Sequence, residues 1–555
     1  MVKKELMIML GAALLGTVCF SNITAEKASA KTSGDYRYVI TGKKQKTCAI
    51  RKYTGNDKDI KIPAKLDGYT VTRIGNLAFA KNMNIQSVTF PKRVTKIGRK
   101  AFKGCENLKK IKFSDNTHTI EREAFYLCME LKEVSLPSKL KKLGNYAFDY
   151  CPIKDISIPQ YVESIGYESF DRIGLDSITV DEKNITYDSR ENCNALIQTS
   201  TNTIIYGSNK STVPSTVNSI GDDAFFHCDK LKEITIPDSV KSIGNSAFQD
   251  CDGLEKVSFS EGLKKIGDGA FFGCSSLKDI KLPDSLKTVG GHAFQDCKEL
   301  KGINIPRDLI KTDDLKDIFH GCPIKNISVA DGNKFYDGRD NCNGVIETAS
   351  DTLVLGCENT NIPSTVKVIG NNPFVTIPSE LIIPEGVEEL SDNAFYFNED
   401  LKKISLPSTL KSIGSGAFWD CCSIREITIP EGIAEIKDDT FNHCEKLEKI
   451  TLPSSLKSIG LFAFNYCGSL KEISIPDGTC EIKENAFNYC EKLKKITLPS
   501  TLKSIGSNAF LYCPLVTVNY KGSKAEWKKI KIDDVDNTDD DNWWNKAKIN
   551  YNYKG

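Results

Sequence analysis

The sequence is poor in the residues on which most enzyme and metal sites depend. In 555 residues, histidine and methionine each occur five times and tryptophan occurs four times. Neither sign of charge is in excess, because 74 lysines and arginines stand against 73 aspartates and glutamates. A formal net charge of +1 gives no general attraction to nucleic acid or to an anionic membrane. We therefore expect no nucleic-acid partner.

Motifs for catalysis and metal binding are missing as well. The sequence contains no nucleophile elbow, no phosphate-binding loop and no His-Glu zinc motif. His227 and His443 each precede a cysteine, but a metal site needs three or four converging ligands. The acidic run Asp533–Asp541 could hold calcium, yet it lacks the ligand order and glycine of an EF-hand, so we interpret it as a solvated loop. The sequence predicts no metal, no cofactor and no enzyme activity.

Long apolar runs are absent except at the start of the chain. Lys3 and Lys4 precede an apolar stretch from Leu6 to Phe20, and the small residues Ala28–Ala30 follow it. This order is typical of a secretory signal peptide, which we place at residues 1–30. No later stretch is long enough to cross a bilayer. We expect a secreted or cell-surface associated protein without a membrane span in its mature form.

A repeat with a period of 23 residues fills most of the remaining chain. In the unit that begins at Leu447, Ile450 and Leu452 alternate with polar residues, which is the period of a short strand with one buried face. Pro453 ends the strand because it cannot donate a further ladder hydrogen bond. Units of this size cannot bury their apolar side alone, so they must stack as the rungs of a solenoid.

One phenylalanine marks each rung, and we predict a helical or 3₁₀ turn around it. Within one rung, Ala463, Phe464 and Cys467 fall at i, i+1 and i+4, so one turn can direct all three toward the core. The 17 marker phenylalanines are Phe79, Phe102, Phe125, Phe148, Phe170, Phe225, Phe248, Phe271, Phe294, Phe319, Phe374, Phe395, Phe418, Phe441, Phe464, Phe487 and Phe510. Their two longest gaps are 55 residues each, which indicates two inserts.

The inserts define the predicted domain organisation. They lie near residues 177–210 and 326–359 and match each other at an offset of 149 residues, which indicates duplication of a larger block. We predict that each forms a β-hairpin within a leucine-rich repeat solenoid at 67–519. An N-terminal β cap at 31–66 and a C-terminal cap at 520–555 would shield the end rungs from water.

The repeat unit resembles that of the BspA-like class of secreted and surface proteins. Its consensus is L-K-x-I-x-[IL]-P-x-x-[LV]-x-x-I-G-x-x-A-F-x-x-C. The resemblance implies an α/β fold, a leucine-rich repeat solenoid with a curved parallel β-sheet, and one short strand and one short helical turn per rung. It also implies adhesion to host proteins or other cells, although no shared set of residues carries that binding.

Cysteine is the one reactive residue in abundance, with 20 in the chain. Thirteen of them lie three residues after a marker phenylalanine: Cys105, Cys128, Cys151, Cys228, Cys251, Cys274, Cys297, Cys322, Cys421, Cys444, Cys467, Cys490 and Cys513. Stacked rungs would hold these side chains parallel and roughly 4.8 Å apart, whereas a disulfide needs converging Cβ atoms about 3.8 Å apart. We predict buried free thiols, with bridges or metal binding as the alternative. The redox states of Cys193, Cys342, Cys421 and Cys422 stay open.

Two surface columns are candidates for binding a partner. The first consists of outward strand positions, at which charge alternates and hydroxyl residues follow: Lys403, Glu426, Lys449, Glu472 and Lys495, with Thr428, Thr451, Ser474 and Thr497. These charges could instead satisfy one another along the sheet. The second column is Tyr466, Tyr489 and Tyr512, which could grip a sugar or an extended peptide or simply stack together.

The sequence thus predicts a monomeric, non-catalytic extracellular scaffold that binds a protein or glycan through its repeat surface. Two alternatives stay open. One is a structural protein of the cell envelope without a specific ligand, and the other is an exported accessory protein with an unrecognised hydrolase activity.

Overall fold

The computed structural model describes residues 30–170, 174–312, 314–533 and 547–554. Within them the chain forms a β-solenoid in which each rung lies parallel to the next, with partners about one 23-residue period apart, as at Ile427 and Ile450. The predicted leucine-rich repeat solenoid and its 23-residue spacing are confirmed. The predicted signal peptide lies outside the described residues, except for its last residue, and so does the acidic run beyond Asp533.

The strand predicted in each rung forms one side of the solenoid, which we call the first ladder. Its alternating pattern arises as expected, since Ile450 is buried between exposed Lys449 and Thr451. The strands of the first ladder are Asp59–Lys61, Ser87–Thr89, Lys110–Lys112, Asp155–Ile158, Ser177–Val180, Glu233–Ile236, Lys256–Phe259, Gly302–Ile305, Asn326–Val329, Glu380–Ile382, Lys403–Ser405, Glu426–Thr428, Lys449–Thr451, Glu472–Ser474, Lys495–Leu498, Thr517–Tyr520 and Lys548–Asn550.

A second strand in each rung forms another side, the second ladder. Its strands are Tyr69–Ile74, Lys96–Ile97, Thr119–Ile120, Lys142–Leu143, Ser164–Ile165, Ser219–Ile220, Ser242–Ile243, Lys265–Ile266, Thr288–Val289, Val368–Ile369, Glu389–Leu390, Ser412–Ile413, Glu435–Ile436, Ser458–Ile459, Glu481–Ile482, Ser504–Ile505 and Lys531–Ile532. The glycine that follows the isoleucine has a steric cause. A Cβ on Gly460 would lie 2.6 Å from the backbone nitrogen of Asp438 in the preceding rung.

The third side, which we call the turn side, consists of turns where the sequence predicts a helical turn. Two residues before and two after most of the marker phenylalanines, the backbone is left-handed, as at Phe462 with φ 52° and Tyr466 with φ 57°. An α-helix cannot contain such residues. The backbone N–H of Phe464 instead donates to the carbonyl of Ala486 in the next rung, at 2.7 Å. The two described α-helices, Leu315–Ile318 and Lys524–Trp527, have four residues each.

The core contains a column of stacked rings and, beside it, a column of thiols. Phe464 is fully buried, with ring centroids 5.3 Å from Phe441 and 5.0 Å from Phe487. Cys467 donates its S–H to the carbonyl of Phe441, 3.3 Å away in the preceding rung. The predicted burial of the thiol column is confirmed, except that Cys513 is only half-buried. Each thiol of the column is free, and twelve of the thirteen donate to the carbonyl of a marker phenylalanine, which explains why a small donor occupies this position.

The inserts form antiparallel hairpins that rejoin the second ladder. The first contains Tyr187–Asp188, Leu196–Gln198 and Thr203–Tyr206, and the second contains Tyr336–Asp337, Val345–Glu347 and Thr352–Leu355. The last strand of each hairpin pairs in parallel with the next strand of the second ladder. A 3₁₀ turn, Arg190–Asn192 or Arg339–Asn341, follows the first strand of each hairpin.

Further strands and a helix cover the two ends of the stack. At the N-terminal end, an antiparallel meander is formed by Lys31–Ser33, Tyr36–Gly42 and Thr47–Tyr53. Its last strand pairs in parallel with Tyr69–Ile74 of the second ladder, and Lys65–Leu66 pairs antiparallel with the same strand. At the other end, Ser523 and Glu526 form a capping box for helix Lys524–Trp527. Trp527 is 9% exposed and packs against Tyr520 at 5.2 Å.

An arginine that is hydrogen-bonded to an aspartate stabilises each insert, and loss of this arginine is expected to destabilise the hairpin. Arg339 donates from Nε and Nη2 to both carboxylate oxygens of Asp337, at 2.8 and 2.7 Å, and from Nη1 to Asp351 at 2.6 Å. We expect Arg339→Ala to lower the free energy of unfolding by about 1–3 kcal/mol, because charge-assisted hydrogen bonds are lost. Urea denaturation checks this value. Arg339→Lys keeps the charge without the fork, so a lysine variant as stable as the parent would contradict a role for the bidentate geometry.

Candidate functional site

The alternating charges lie in one column on the outer face of the first ladder. Strand pairing places Glu426 opposite Lys449 and Glu472 opposite Lys495, and these side chains are exposed. Lys403 continues the column on the preceding strand, opposite Glu380. Buried isoleucines between the charged and hydroxyl positions fix this orientation, since successive side chains of a strand point to opposite faces.

Charge pairing along the column is incomplete. Lys495 Nζ lies 3.0 Å from Glu472 Oε2, and this hydrogen bond raises the pKa of Lys495. Among the described residues, Lys403, Glu426 and Lys449 form no ion pair. Alternation of charge therefore does not pair every charged group on this face. Three of the five charged side chains keep their hydrogen-bonding capacity for another molecule.

The unpaired charges surround an open groove. It has a volume of about 390 Å³, and Lys403, Glu426, Thr428, Lys449 and Thr451 are among the residues that line it. The hydrogen-bonded ladder is interrupted here, because the sheet that contains Lys403–Ser405 is separate from the sheet that contains Glu426–Thr428. The predicted column thus coincides with a concave feature of the surface.

The hydroxyl positions differ along the column. Thr428, Thr451 and Ser474 are exposed as predicted. Thr497 differs from the prediction of an outward-facing side chain, because its exposure is only 9%. Thr497 lies where the final strands extend the ladder, and Asn519 and then Asn550 follow it in the same register.

The tyrosine column stacks on itself. Ring centroids lie 4.5 Å apart between Tyr466 and Tyr489 and 4.4 Å apart between Tyr489 and Tyr512. His443 extends the stack at 4.5 Å from Tyr466, and its Nδ1 lies 3.9 Å from Asp420. The inner rings use both faces in these contacts, so their edges and hydroxyl groups face solvent. This arrangement matches the stacking alternative for the column.

The same face of the first ladder carries grooves in two other places. One of about 620 Å³ includes Lys256 and Asp279, and another of about 660 Å³ includes Lys110 and Lys132. Lys110 and Lys132 were not among the candidates from the sequence, although the register that predicts Lys449 also leads to Lys110. No group of three histidine, cysteine, aspartate or glutamate residues in the described ranges could hold a metal ion.

Comparison with known families identifies the repeat. The profile of the BspA type leucine rich repeat region (6 copies) matches residues 69–197, 206–325, 354–438 and 411–531. The chain belongs to the BspA-type leucine-rich repeat family. This family comprises repeat scaffolds and is not an enzyme family. None of the helices within the described ranges has the length and apolar character that crossing a bilayer requires.

Several solved structures are similar to this BspA-type protein. A leucine-rich repeat protein from Bacteroides ovatus is 23% identical, with 94% of this chain and 99% of that chain covered and a TM-score of 0.31. A leucine rich cell surface protein from Faecalibacterium prausnitzii is 24% identical, with 92% and 99% covered and a TM-score of 0.26. The pneumococcal vaccine antigen PcpA is 18% identical, with 95% and 99% covered and a TM-score of 0.27. A comparison with curated proteins gives no significant match.

Proposed function

We propose that this BspA-type protein is an extracellular, non-catalytic scaffold that binds a partner protein through the outer face of its first ladder. The observation that carries the proposal is the groove around Lys403, Glu426 and Lys449, whose charges have no partner among the described residues. Charged groups that alternate along a rigid strand array suit a protein surface of complementary pattern, because they set register and suppress wrong partners.

A protein partner is favoured over a glycan by the state of the aromatic column. Sugars bind to free aromatic faces, whereas Tyr466 and Tyr489 cover their faces with each other. The first ladder offers exposed ammonium, carboxylate and hydroxyl groups instead. These groups pair with the charged rim residues of a protein interface.

The test is a charge reversal in the groove. Biolayer interferometry would measure binding of the parent protein to a panel of purified matrix and cell-surface proteins. In the variant Lys403→Glu, Glu426→Lys and Lys449→Glu, we expect affinity for the partner so found to fall by about tenfold or more, since like charges would then face each other. Circular dichroism should stay unchanged.

The neighbouring ion pair provides a matched control. Glu472→Lys with Lys495→Glu reverses two charges of the same column. The variant keeps opposite charges at these two positions, whose side chains pair at 3.0 Å in the parent protein. We expect this variant to keep its affinity within about twofold, because the paired groups are already satisfied. If the groove variant binds as tightly as the parent, the outer face of the first ladder is not the binding site.

A further inference from the structure

The two junctions between the solenoid blocks differ, although their sequences are related by duplication. At the first junction, Tyr167 donates to Asp223 Oδ2 at 2.9 Å. Tyr206 accepts from the N–H of Ser169 at 2.9 Å and donates to the carbonyl of Gly166 at 3.0 Å. These hydrogen bonds connect the rung before the insert to the hairpin and to the rung after it.

At the second junction, the residues that would make these bonds have been replaced. At the offset of 149 residues, Lys316 stands for Tyr167, Leu355 for Tyr206 and Asn372 for Asp223. Leucine has no hydroxyl group, and Lys316 has no ion pair among the described residues. A cavity of about 800 Å³ lies here, lined from both blocks. Its volume is within the range of about 300–1,000 Å³ that small-ligand sites occupy.

An exposed aromatic ring forms part of the cavity wall. Phe397 is 54% exposed, and its ring centroid lies 4.6 Å from that of Tyr396. Its backbone has φ 58°, a conformation that costs free energy for a side chain of this size. Glycine, aspartate, histidine and tyrosine occupy the same position in other rungs, so the fold does not require phenylalanine there. The exposed ring of Phe397 is therefore available to a ligand that enters the cavity.

The charged side chains that line the cavity indicate a cationic ligand. Asp317 lines it from one block, and Glu399 and Asp400 line it from the other, and these three carboxylates have no ion pair among the described residues. They do not converge as metal ligands. Lys316 is the opposing cation, and burial lowers its pKa to about 8. Carboxylates spread around an aromatic ring suit a planar, extended cation, since guanidinium both stacks on rings and pairs with carboxylates.

We propose that the cavity at the second junction binds an arginine side chain of a basic, extended peptide segment in a partner protein. Phe397 stacks on the guanidinium group, and Asp317, Glu399 and Asp400 accept its hydrogen bonds. The site is separate from the outer face of the first ladder, so its test does not depend on that face.

The experiment measures anisotropy of a fluorescein-labelled peptide that carries three arginines spaced by glycine and serine, together with its citrulline counterpart. We expect saturable binding of the arginine peptide and binding weaker by about tenfold for citrulline, because the charge is lost. The variant Asp317→Asn, Glu399→Gln and Asp400→Asn should weaken arginine-peptide binding by about tenfold as well. Phe397→Ala should weaken it by about threefold.

Two further variants test the site itself. Glu106→Gln, Glu445→Gln and Glu491→Gln removes three exposed carboxylates at the rung position of Glu399, and we expect it to bind the peptide as the parent does. Lys316→Tyr with Asn372→Asp installs the tyrosine–aspartate pair of the first junction between two residues that line the cavity, and it should abolish binding without lowering the melting temperature.

Several results would overturn the proposal. One is equal binding of the citrulline and arginine peptides. Another is a loss of affinity in the Glu106, Glu445 and Glu491 control variant equal to that in the cavity variant. A third is undiminished binding by the variant that carries tyrosine at position 316. Binding of a neutral oligosaccharide that survives removal of the three carboxylates but not Phe397→Ala would assign the cavity to a glycan instead. Reversing the first-ladder charges should leave peptide binding intact, so failure of either proposal can be distinguished from failure of the other.

Discussion

Replacing Phe464 with alanine is expected to lower the free energy of unfolding by about 3–5 kcal/mol, the range found for buried aromatic rings. Phe464 is fully buried, and its ring lies between those of Phe441 and Phe487. The neighbouring rungs cannot move together to fill the space, because backbone hydrogen bonds fix their separation at this point. The cavity term therefore adds to the loss of apolar contact.

Urea denaturation followed by circular dichroism checks this expectation, and the same rung supplies its control. Tyr466 lies two residues further along and is 38% exposed. Its ring also stacks, at 4.5 Å from Tyr489, but in contact with solvent. We expect Tyr466→Ala to cost about 1 kcal/mol. Equal losses in the two variants would show that stacking alone, without burial, accounts for the aromatic contribution.

The thiol column is expected to make the protein unstable in alkali. Burial raises the pKa of Cys105 to about 12 and raises those of Cys444 and Cys490 well above the ordinary value. An unfolded thiol ionises with a pKa of about 8.5. Above that pH the unfolded state releases protons that the folded state keeps, so stability falls as pH rises. The contribution is fully present below pH about 8.5 and is lost as the pH approaches the folded pKa.

The expected slope is large because many thiols act together. Each buried thiol can contribute about 1.4 kcal/mol per pH unit once its unfolded form is ionised. Urea denaturation from pH about 7 to 11, under reducing conditions, measures the sum. Changing Cys444, Cys467 and Cys490 to alanine should reduce the slope by about 4 kcal/mol per pH unit, whatever the variant loses at neutral pH. An unchanged slope would show that these thiols do not stay protonated inside the folded protein.

The periodic features of the fold could be predicted from the sequence. The spacing around Ile450 and Leu452 predicts the first ladder, and the spacing of Phe464 and Cys467 predicts their burial, because each depends on which residues one rung buries against the next. The charged column could be predicted for the same reason. Its groove could not, since the groove depends on where neighbouring strands stop pairing.

Other features depend on contacts that a single sequence does not reveal. The strand at Ser458–Ile459 is two residues long, which is too short to show a period. The turn around Phe464 has apolar spacing that suits a helix, but its left-handed residues are tyrosine and phenylalanine, so no glycine marks them. The cavity at Lys316 depends on side chains from rungs that the second insert separates, and only comparison with Tyr167 makes it visible.

The backbone hydrogen bonds that join marker phenylalanines to the alanines of neighbouring rungs run in one sense. The N–H of Phe441 donates to Ala463, that of Phe464 to Ala486, and that of Phe487 to Ala509, always toward the following rung. At these positions each rung donates to the rung that follows and accepts from the rung that precedes, so the stack has a polarity like that of a filament. Such a molecule can lengthen by tandem copying of a block but not by inversion, and the 149-residue duplication keeps that polarity.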